Sequence, residues 1–140
     1  AALLPHRGRF LLLDEVRAVD ALHRRGAGHR VLDRNDPVFA DHFPGDPVYP
    51  GVLMVEAMAQ LALASRAVIQ GSASAPGGVR FLWIQVAVFV DAARPGDEFT
   101  LLSEEIEDNG FTFLALVQAL RGGTVLAVAV VEAIELEEDE

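Results

Sequence analysis

The chain has 140 residues, of which 51% are hydrophobic, and it contains no cysteine. Its formal net charge is −10. This length fits one domain, the acidic balance argues against nucleic-acid binding, and the lack of cysteine excludes disulfides and thiolate catalysis. So large an apolar fraction favours an oligomer that hides further apolar surface over a monomer with a large core.

The charge is spread unevenly along the chain. Residues 1–35 carry a net charge of +3, residues 36–85 of −2 and residues 86–140 of −11, and every fixed cation is an arginine because lysine is absent. An anionic partner could dock on the arginine-rich first quarter, although an ordinary solvated surface accounts for it equally well. We expect the acidic end, residues 133–140, to form a frayed tail.

The first predicted elements are two strands, "FLLLDEVRAVDA" and "RRGAGHRVLD", on either side of a turn near residues 22–25. A loop rich in Pro, Gly and Asp follows, "RNDPVFADHFPGDPVYP". Residues 51–70, "GVLMVEAMAQLALASRAVIQ", predict a helix of about five turns. Pro50 stands at its start, where a missing N–H costs nothing.

The second half of the chain predicts a run of strands. After the loop "GSASAPGG" come "VRFLWIQVAVFVDA", "DEFTLLSEEIED", "FTFLALVQALR" and "TVLAVAVVEAIEL", separated by the turns "RPGD", "DNG" and "RGG". The sequence therefore predicts one α+β domain over residues 1–140, in which an antiparallel sheet wraps a single apolar helix.

The N-terminal residues lack the basic start and apolar stretch of a signal peptide. The longest apolar run is interrupted by Glu56 and Gln60, and we expect this run to be too short to span a bilayer. A cytoplasmic protein with no membrane partner is therefore expected.

One acid, Glu56, lies in the middle of this apolar helix. Burying an ionisable group is costly unless another group compensates. Gln60 is four residues further on and shares a helix face with Glu56. Its amide can therefore donate to the carboxyl group and hold it in one orientation.

His42 precedes Glu56 by fourteen residues, in a turn-rich loop that can fold back toward a helix of its own subunit or of a neighbour. In an apolar pocket a histidine and a carboxyl group form an acid–base pair. Gly51 begins the helix, where its N–H has no helical acceptor and can stabilise an oxygen that gains negative charge. Such a set can remove a proton next to a carbonyl and expel a β-leaving group, although a loop histidine and a helix glutamate can also be purely structural.

Other candidates for a site are weaker. His6 is expected to anchor the N-terminal segment, and His23 and His29 to lie on a solvated surface. No histidine pair has the spacing of metal ligands with acids to match, so no metal site is predicted. Tyr49 and Trp83 could line a pocket or belong to the core.

Three blocks of sequence, "LLPHRGRFLLLDEV", "HFPGDPVYPGVLMVEAMAQ" and "RPGDEF", resemble the 3-hydroxyacyl-[acyl-carrier-protein] dehydratases of the FabZ type. The resemblance runs in order over roughly residues 3–110, and the middle block is highly specific. It implies a hot-dog fold, with a long central helix wrapped by a curved antiparallel sheet. It also implies subunits that pair through their sheets, as a homodimer or a trimer of dimers.

The resemblance implies roles for individual residues. The active site would lie between two subunits, with His42 of one removing the α-proton and Glu56 of the other protonating the leaving β-hydroxyl. The Gly51 amide would hold the thioester carbonyl, and Gln60 would orient Glu56. The candidates for the lining of the acyl tunnel are Phe43, Tyr49, Val52, Leu53 and Trp83.

The implied substrate is a (3R)-3-hydroxyacyl group on the phosphopantetheine arm of acyl carrier protein, and the implied product is a trans-2-enoyl thioester. No cofactor is needed, because water is the only other product. The pathway would be fatty-acid synthesis or a specialised synthesis of the polyketide or aryl-polyene type. Glu56 stands where the related FabA-type enzymes, which also isomerise the double bond, have Asp, and this favours dehydration without isomerisation.

The sequence departs from the FabZ pattern near two of these blocks. Val90 and Asp91 stand where cations are usual, and Asp41 replaces the usual Gly before His42. The change ahead of "PGD" weakens the docking patch for an acidic carrier protein. The candidates to replace that patch are Arg7, Arg9, Arg24, Arg25 and Arg30.

Two other functions stay open. A hot-dog acyl thioesterase would use an acid or an amide to activate water and would not need His42. A non-catalytic partner subunit of a hetero-oligomeric dehydratase would need neither His42 nor Glu56.

Overall fold

A computed structural model describes residues 3–72 and 78–136. Within these ranges a short 3-10 turn, Gly8–Phe10, precedes the helices and strands. The helices are α1 (Val38–Asp41) and α2 (Gly51–Ile69). The strands are β1 (Glu15–Asp20), β2 (Arg25–Val31), β3 (Val79–Phe89), β4 (Glu98–Asp108), β5 (Thr112–Arg121) and β6 (Thr124–Glu135).

The six strands form one antiparallel sheet in the order β1-β2-β4-β5-β6-β3. β4, β5 and β6 follow one another as a meander, whereas β3, the strand after α2, pairs only with β6 and forms an edge of the sheet. The sheet is open, and α2 packs against β1, β2, β4, β5 and β6. The predicted α+β class, with one long helix wrapped by an antiparallel sheet, is confirmed.

Helix α2 is buried from Met54 to Ala67, with the partial exception of Glu56. Its alanines and leucines allow contact with the sheet on several sides. By length and composition alone this helix could also cross a membrane, so its interruption by Glu56 and Gln60 does not by itself exclude a span. Its burial beneath the sheet makes it the core helix of the domain.

Two glycines of β2 let the helix approach the sheet closely. A Cβ atom at Gly26 would lie 1.9 Å from Ser65 Oγ, and a Cβ atom at Gly28 would lie 2.9 Å from Leu61 Cδ1. Both distances are shorter than van der Waals contact. A larger residue at either position would therefore push α2 away from the sheet.

The C-terminal half of α2 holds a buried arginine. The Arg66 guanidinium lies 2.7 Å from a Glu105 oxygen, 3.0 Å from Asp108 and 2.7 Å from Glu135, and its carbon lies 4.4 Å from the centre of the Phe113 ring. Burial lowers the pKa of Arg66, but the hydrogen bonds to the three carboxylates outweigh burial and raise it above the ordinary value. Arg66 is thus held as a permanent cation.

The structure differs from the predicted elements in three places. β1 begins at Glu15 rather than near Phe10, because the backbone at Phe10 and Leu12 bonds to the Gln60 side chain of α2 instead of a strand. α1 lies in the predicted loop, where the Asp36 carboxylate accepts the Val38 N–H at 3.0 Å and starts a turn. The expected frayed tail begins later than residue 133, since β6 continues to Glu135; residues 137–140, like residues 73–77 of the "GSASAPGG" loop, lie outside the described residues.

Gly26→Ala is expected to destabilise the protein by about 1–3 kcal/mol, because the added methyl group overpacks the contact with Ser65. Gly123→Ala is the matched control, since a Cβ atom there meets nothing within 4 Å. Denaturant unfolding of both variants measures the difference. Equal free energies of unfolding would contradict the close approach of α2 to β2.

Candidate active site

Glu56 borders an apolar cavity between α2 and the sheet. It lies in the second turn of α2, and its side chain is 22% exposed. The cavity has a volume of about 230 Å³, and His6, Gln60 and Arg80 contribute to its wall. The apolar part of the lining includes Leu63, Val79, Phe81, Phe113, Val131 and Ala133.

Gln60 joins the N-terminal segment, the helix and the acid. Its side chain donates from Nε2 to the Phe10 carbonyl at 2.7 Å and to Glu56 Oε1 at 2.9 Å, and its Oε1 accepts the Leu12 N–H at 2.8 Å. The bond to Glu56 is present as the spacing of four residues predicts. The bonds to Phe10 and Leu12 were not predicted, and they hold the segment before β1 against α2.

His6 also reaches the acid. Its Nε2 lies 3.3 Å from Glu56 Oε1, and its ring lines the same cavity. The sequence predicted only an anchoring role for His6. Leu4 packs in the core and Gln60 holds Phe10, so the segment crosses α2 between these two points, and no pattern in the sequence indicates this path.

His42 follows α1, and its ring Nδ1 lies 2.9 Å from the Val48 carbonyl oxygen. Because a carbonyl oxygen only accepts hydrogen bonds, Nδ1 carries the hydrogen, and Nε2 is the nitrogen that can take a proton. The ring stacks on Phe43, with 4.1 Å between ring centres. In the described part of the chain, His42 does not line the cavity at Glu56.

Gly51 is the first residue of α2, and no side chain caps this end of the helix. Its N–H therefore has no acceptor within the helix. A Cβ atom at Gly51 would lie 2.7 Å from the Phe89 ring. Glycine is thus the residue that allows the last residue of β3 to pack against the start of α2.

The five tunnel candidates lie away from the cavity at Glu56. Tyr49 is buried, which raises the pKa of its hydroxyl, and together with Leu53 it lines a separate cavity of about 510 Å³. Phe43, Val52 and Trp83 are exposed by 54%, 76% and 63%. Their place in a tunnel stays a prediction that requires a second subunit.

The other two histidines differ from each other. His23 is exposed and bonds through Nδ1 to Asp20 at 2.7 Å, a hydrogen bond that lowers the pKa of that carboxyl group. His29 was expected on a solvated surface, but its side chain is only 16% exposed and lies 3.7 Å from Glu98. Over residues 3–72 and 78–136, no group of three or more His, Asp and Glu side chains could hold a metal ion.

A comparison with solved structures identifies the class of fold. The structure resembles the dehydratase heterocomplex ApeI:P from Xenorhabdus doucetiae, with a TM-score of 0.77, 18% identity, and coverage of 96% of this chain and 89% of that chain. At this identity the similarity shows the fold alone, and the fold is the predicted hot-dog fold.

Sequence comparison identifies the family. The FabA-like domain family matches residues 4–129. The chain is 38% identical over 125 residues to the 3-hydroxyacyl-[acyl-carrier-protein] dehydratase FabZ of Chlamydia trachomatis serovar L2, covering 89% of this chain and 82% of that protein. It is 34% identical over 135 residues to the FabZ of Nitratiruptor sp., covering 94% and 90%. The chain therefore belongs to the FabA-like family, with FabZ dehydratases as relatives, and the predicted family is confirmed.

Gln60→Leu is expected to destabilise the protein by about 2 kcal/mol or more, because it leaves the buried Leu12 N–H and the Phe10 carbonyl without their partner. Gln70→Leu, at the exposed C-terminal end of α2, is the matched control and should unfold like the wild type. Denaturant unfolding provides the measurement. A Gln60→Leu variant as stable as the control would show that these hydrogen bonds do not hold the N-terminal segment.

Proposed function

We propose that the protein dehydrates (3R)-3-hydroxyacyl thioesters on acyl carrier protein to trans-2-enoyl thioesters. The observation that carries this proposal is the carboxyl group of Glu56, held by Gln60 at the wall of an apolar cavity, in a chain whose relatives are FabZ dehydratases. The cavity suits an acyl chain, and the carboxyl group suits loss of its β-hydroxyl.

His42 and Glu56 divide the proton transfers between them. Nε2 of His42 takes the proton from Cα, and the electron pair of that C–H bond forms the Cα–Cβ double bond. The Cβ–O bond breaks, and the leaving oxygen takes a proton from Glu56, directly or through water, and departs as water. The atoms balance without a cofactor, and exchange with solvent restores both residues.

Gly51 stabilises the charge that develops between these transfers. When the α-proton leaves, negative charge builds on the oxygen of the thioester carbonyl. The Gly51 N–H, at the uncapped start of α2, can donate to that oxygen, and the helix dipole adds to the stabilisation.

The histidine of each site comes from a second copy of the chain, and β3 is the surface that fits this copy. β3 is an edge strand whose backbone groups can pair with another strand. Its large apolar side chains are exposed to an extent that a monomer rarely tolerates. They are Phe81, Leu82, Trp83, Ile84, Val86, Val88 and Phe89.

The position of β3 explains why this pairing would complete the site. Val79 and Phe81, at its start, line the cavity at Glu56, and Phe89, at its end, contacts Gly51. If two β3 strands pair antiparallel around a twofold axis, the end of one lies beside the start of the other. The start of α2 in one copy, with the loop of His42, then approaches the Glu56 cavity of the other.

Val86→Arg is expected to convert the proposed dimer into a monomer and to abolish activity with it, because a buried unpaired charge in the strand pairing is costly. Leu22→Arg, in the exposed β1–β2 turn, is the matched control and should stay dimeric and active. Sedimentation velocity gives the oligomeric state. A monomeric wild type, or a Val86→Arg dimer with wild-type activity, would contradict pairing through β3.

The carrier protein is acidic and needs cations near the entrance of the cavity. Of the five candidate arginines, Arg24, Arg25 and Arg30 form ion pairs with acids of this chain. Arg7 and Arg9 are exposed; Arg7 precedes the 3-10 turn, Arg9 lies within it, and both are close to His6 in the chain. We assign the docking surface to these two arginines, in place of the usual site where Asp91 pairs with Arg121.

A trimer of dimers and a cytoplasmic location remain predictions.

His42→Ala and Glu56→Gln are each expected to lower activity at least about a hundredfold, because each removes one of the two proton transfers. The assay is hydration of crotonyl-CoA, followed by loss of enoyl absorbance, and then of the same acyl group on carrier protein. The exposed residues His23 and Glu107 supply the matched controls His23→Ala and Glu107→Gln, which should keep wild-type activity.

The same assay separates the competing functions. A thioesterase would release free thiol and would keep its activity in His42→Ala. A folded, dimeric wild type that is inert on both substrates would contradict the dehydratase proposal and favour a partner subunit, as in the heterocomplex of the structural relative.

A further inference from the structure

We propose that His6 is a positioning residue for Glu56: together with Gln60 it fixes Oε1 of the carboxyl group and leaves Oε2 as the oxygen that delivers the proton. This inference rests on the proposed dehydratase function and extends it, because it assigns the proton transfer to one atom and adds a residue to the site.

Two nitrogen atoms converge on the same oxygen of Glu56. Gln60 Nε2 donates to Oε1 at 2.9 Å, and His6 Nε2 lies 3.3 Å from Oε1. Both contacts are made to Oε1 rather than to Oε2. The Gln60 donor occupies a lone pair of Oε1, and His6 Nε2 stands within ion-pair distance of the same oxygen. The two nitrogens thus hold the carboxyl plane in place and direct the proton of the acid form to Oε2.

The other ring nitrogen shows which tautomer His6 adopts. Nδ1 of His6 is buried and has no hydrogen-bond partner among the described residues. A hydrogen on Nδ1 would be a buried donor without an acceptor, which costs free energy. The hydrogen of the neutral ring therefore lies on Nε2, the nitrogen that faces Glu56. Catalytic hydrogen bonds are often long in a free enzyme and tighten when substrate binds.

The backbone on both sides of His6 is fixed. Leu4 packs in the core, and Arg7 Nη1 donates to the carbonyl oxygens of Leu4 and His6. Further along, Gln60 holds Phe10. The imidazole is thus presented to Glu56 from an anchored segment, which a positioning residue requires.

Two arginines lie close to this contact. Arg7, the neighbour of His6 in the chain, uses its guanidinium on backbone carbonyls, and Arg80 lies on the wall of the same cavity. Gln60 Nε2 and His6 Nε2 both approach Oε1. An uncharged donor of similar reach should therefore replace the imidazole.

Steady-state kinetics of His6→Leu and His6→Gln test the inference. We expect kcat of His6→Leu to fall about ten- to a hundredfold, the range for loss of a hydrogen bond to a carboxylate, with KM within about twofold because His6 acts on Glu56 rather than on the bound substrate. His6→Gln should recover most of kcat through its amide N–H. His23→Leu, at an exposed position, should match the wild type. Equal losses in Leu and Gln variants, or a loss confined to KM, would overturn the positioning role.

The ring nitrogens can also be observed directly. In ¹⁵N-labelled wild type, we expect neutral His6 to carry its hydrogen on Nε2 and neutral His42 to carry it on Nδ1, as the bond to Val48 requires. The two histidines should thus show opposite tautomers. A hydrogen on Nδ1 of neutral His6 would overturn the inference even if His6→Leu were inactive.

A double variant separates this inference from the function on which it rests. If His6 acts through Glu56, adding His6→Leu to Glu56→Gln should cause no further loss of kcat; a further loss of tenfold would overturn the inference. Full activity of Glu56→Gln would instead show that the proposed function itself is wrong. Loss of activity in Glu56→Gln together with an unchanged His6→Leu would leave the function intact and refute only the role of His6.

Discussion

The side chain of Gln60 links helix α2 to the N-terminal segment and to the carboxyl group of Glu56. It is 1% exposed and bonds to the backbone at Phe10 and Leu12 and to the carboxyl group of Glu56. Without it, the contact of His6 with Glu56 would be the polar attachment left between the described N-terminal segment and α2, and Glu56 would lose the donor on its own helix. The orientation of the acid and the path of the segment that carries His6 therefore both depend on this amide.

Helix α2 contains two ionisable groups, and the chain offsets the cost of burying each of them in a different way. Arg66 is surrounded by the carboxylates of Glu105, Asp108 and Glu135, which raise its pKa and keep it charged. Glu56 is held by an amide and a histidine at the wall of an apolar cavity instead. The first arrangement stabilises a permanent charge and serves the fold. The second leaves the carboxyl group beside an apolar cavity, where the proposed proton transfer would take place.

Much of the fold was predictable because hydrophobic periodicity and turn residues report on local structure. α2 and strands β4 to β6 were predicted to within one residue, β3 was predicted three residues too long, and the helical spacing predicted the bond from Gln60 to Glu56. The interactions that were missed are long-range. Arg66 meets acids 39 to 69 residues away, and His6 meets Glu56 only because the N-terminal segment folds across the helix. No local pattern encodes such contacts.

The central claim is that each active site joins His42 of one copy to Glu56 of another. Mixing the two inactive variants tests this claim most directly. A mixed dimer of His42→Ala and Glu56→Gln chains would contain one site with both residues intact and one with neither. With random exchange of subunits, crotonyl-CoA hydration should recover to about a quarter of the wild-type rate. Recovery to that level would establish a shared site, whereas a mixture as inactive as its two parents, with subunit exchange verified, would contradict it.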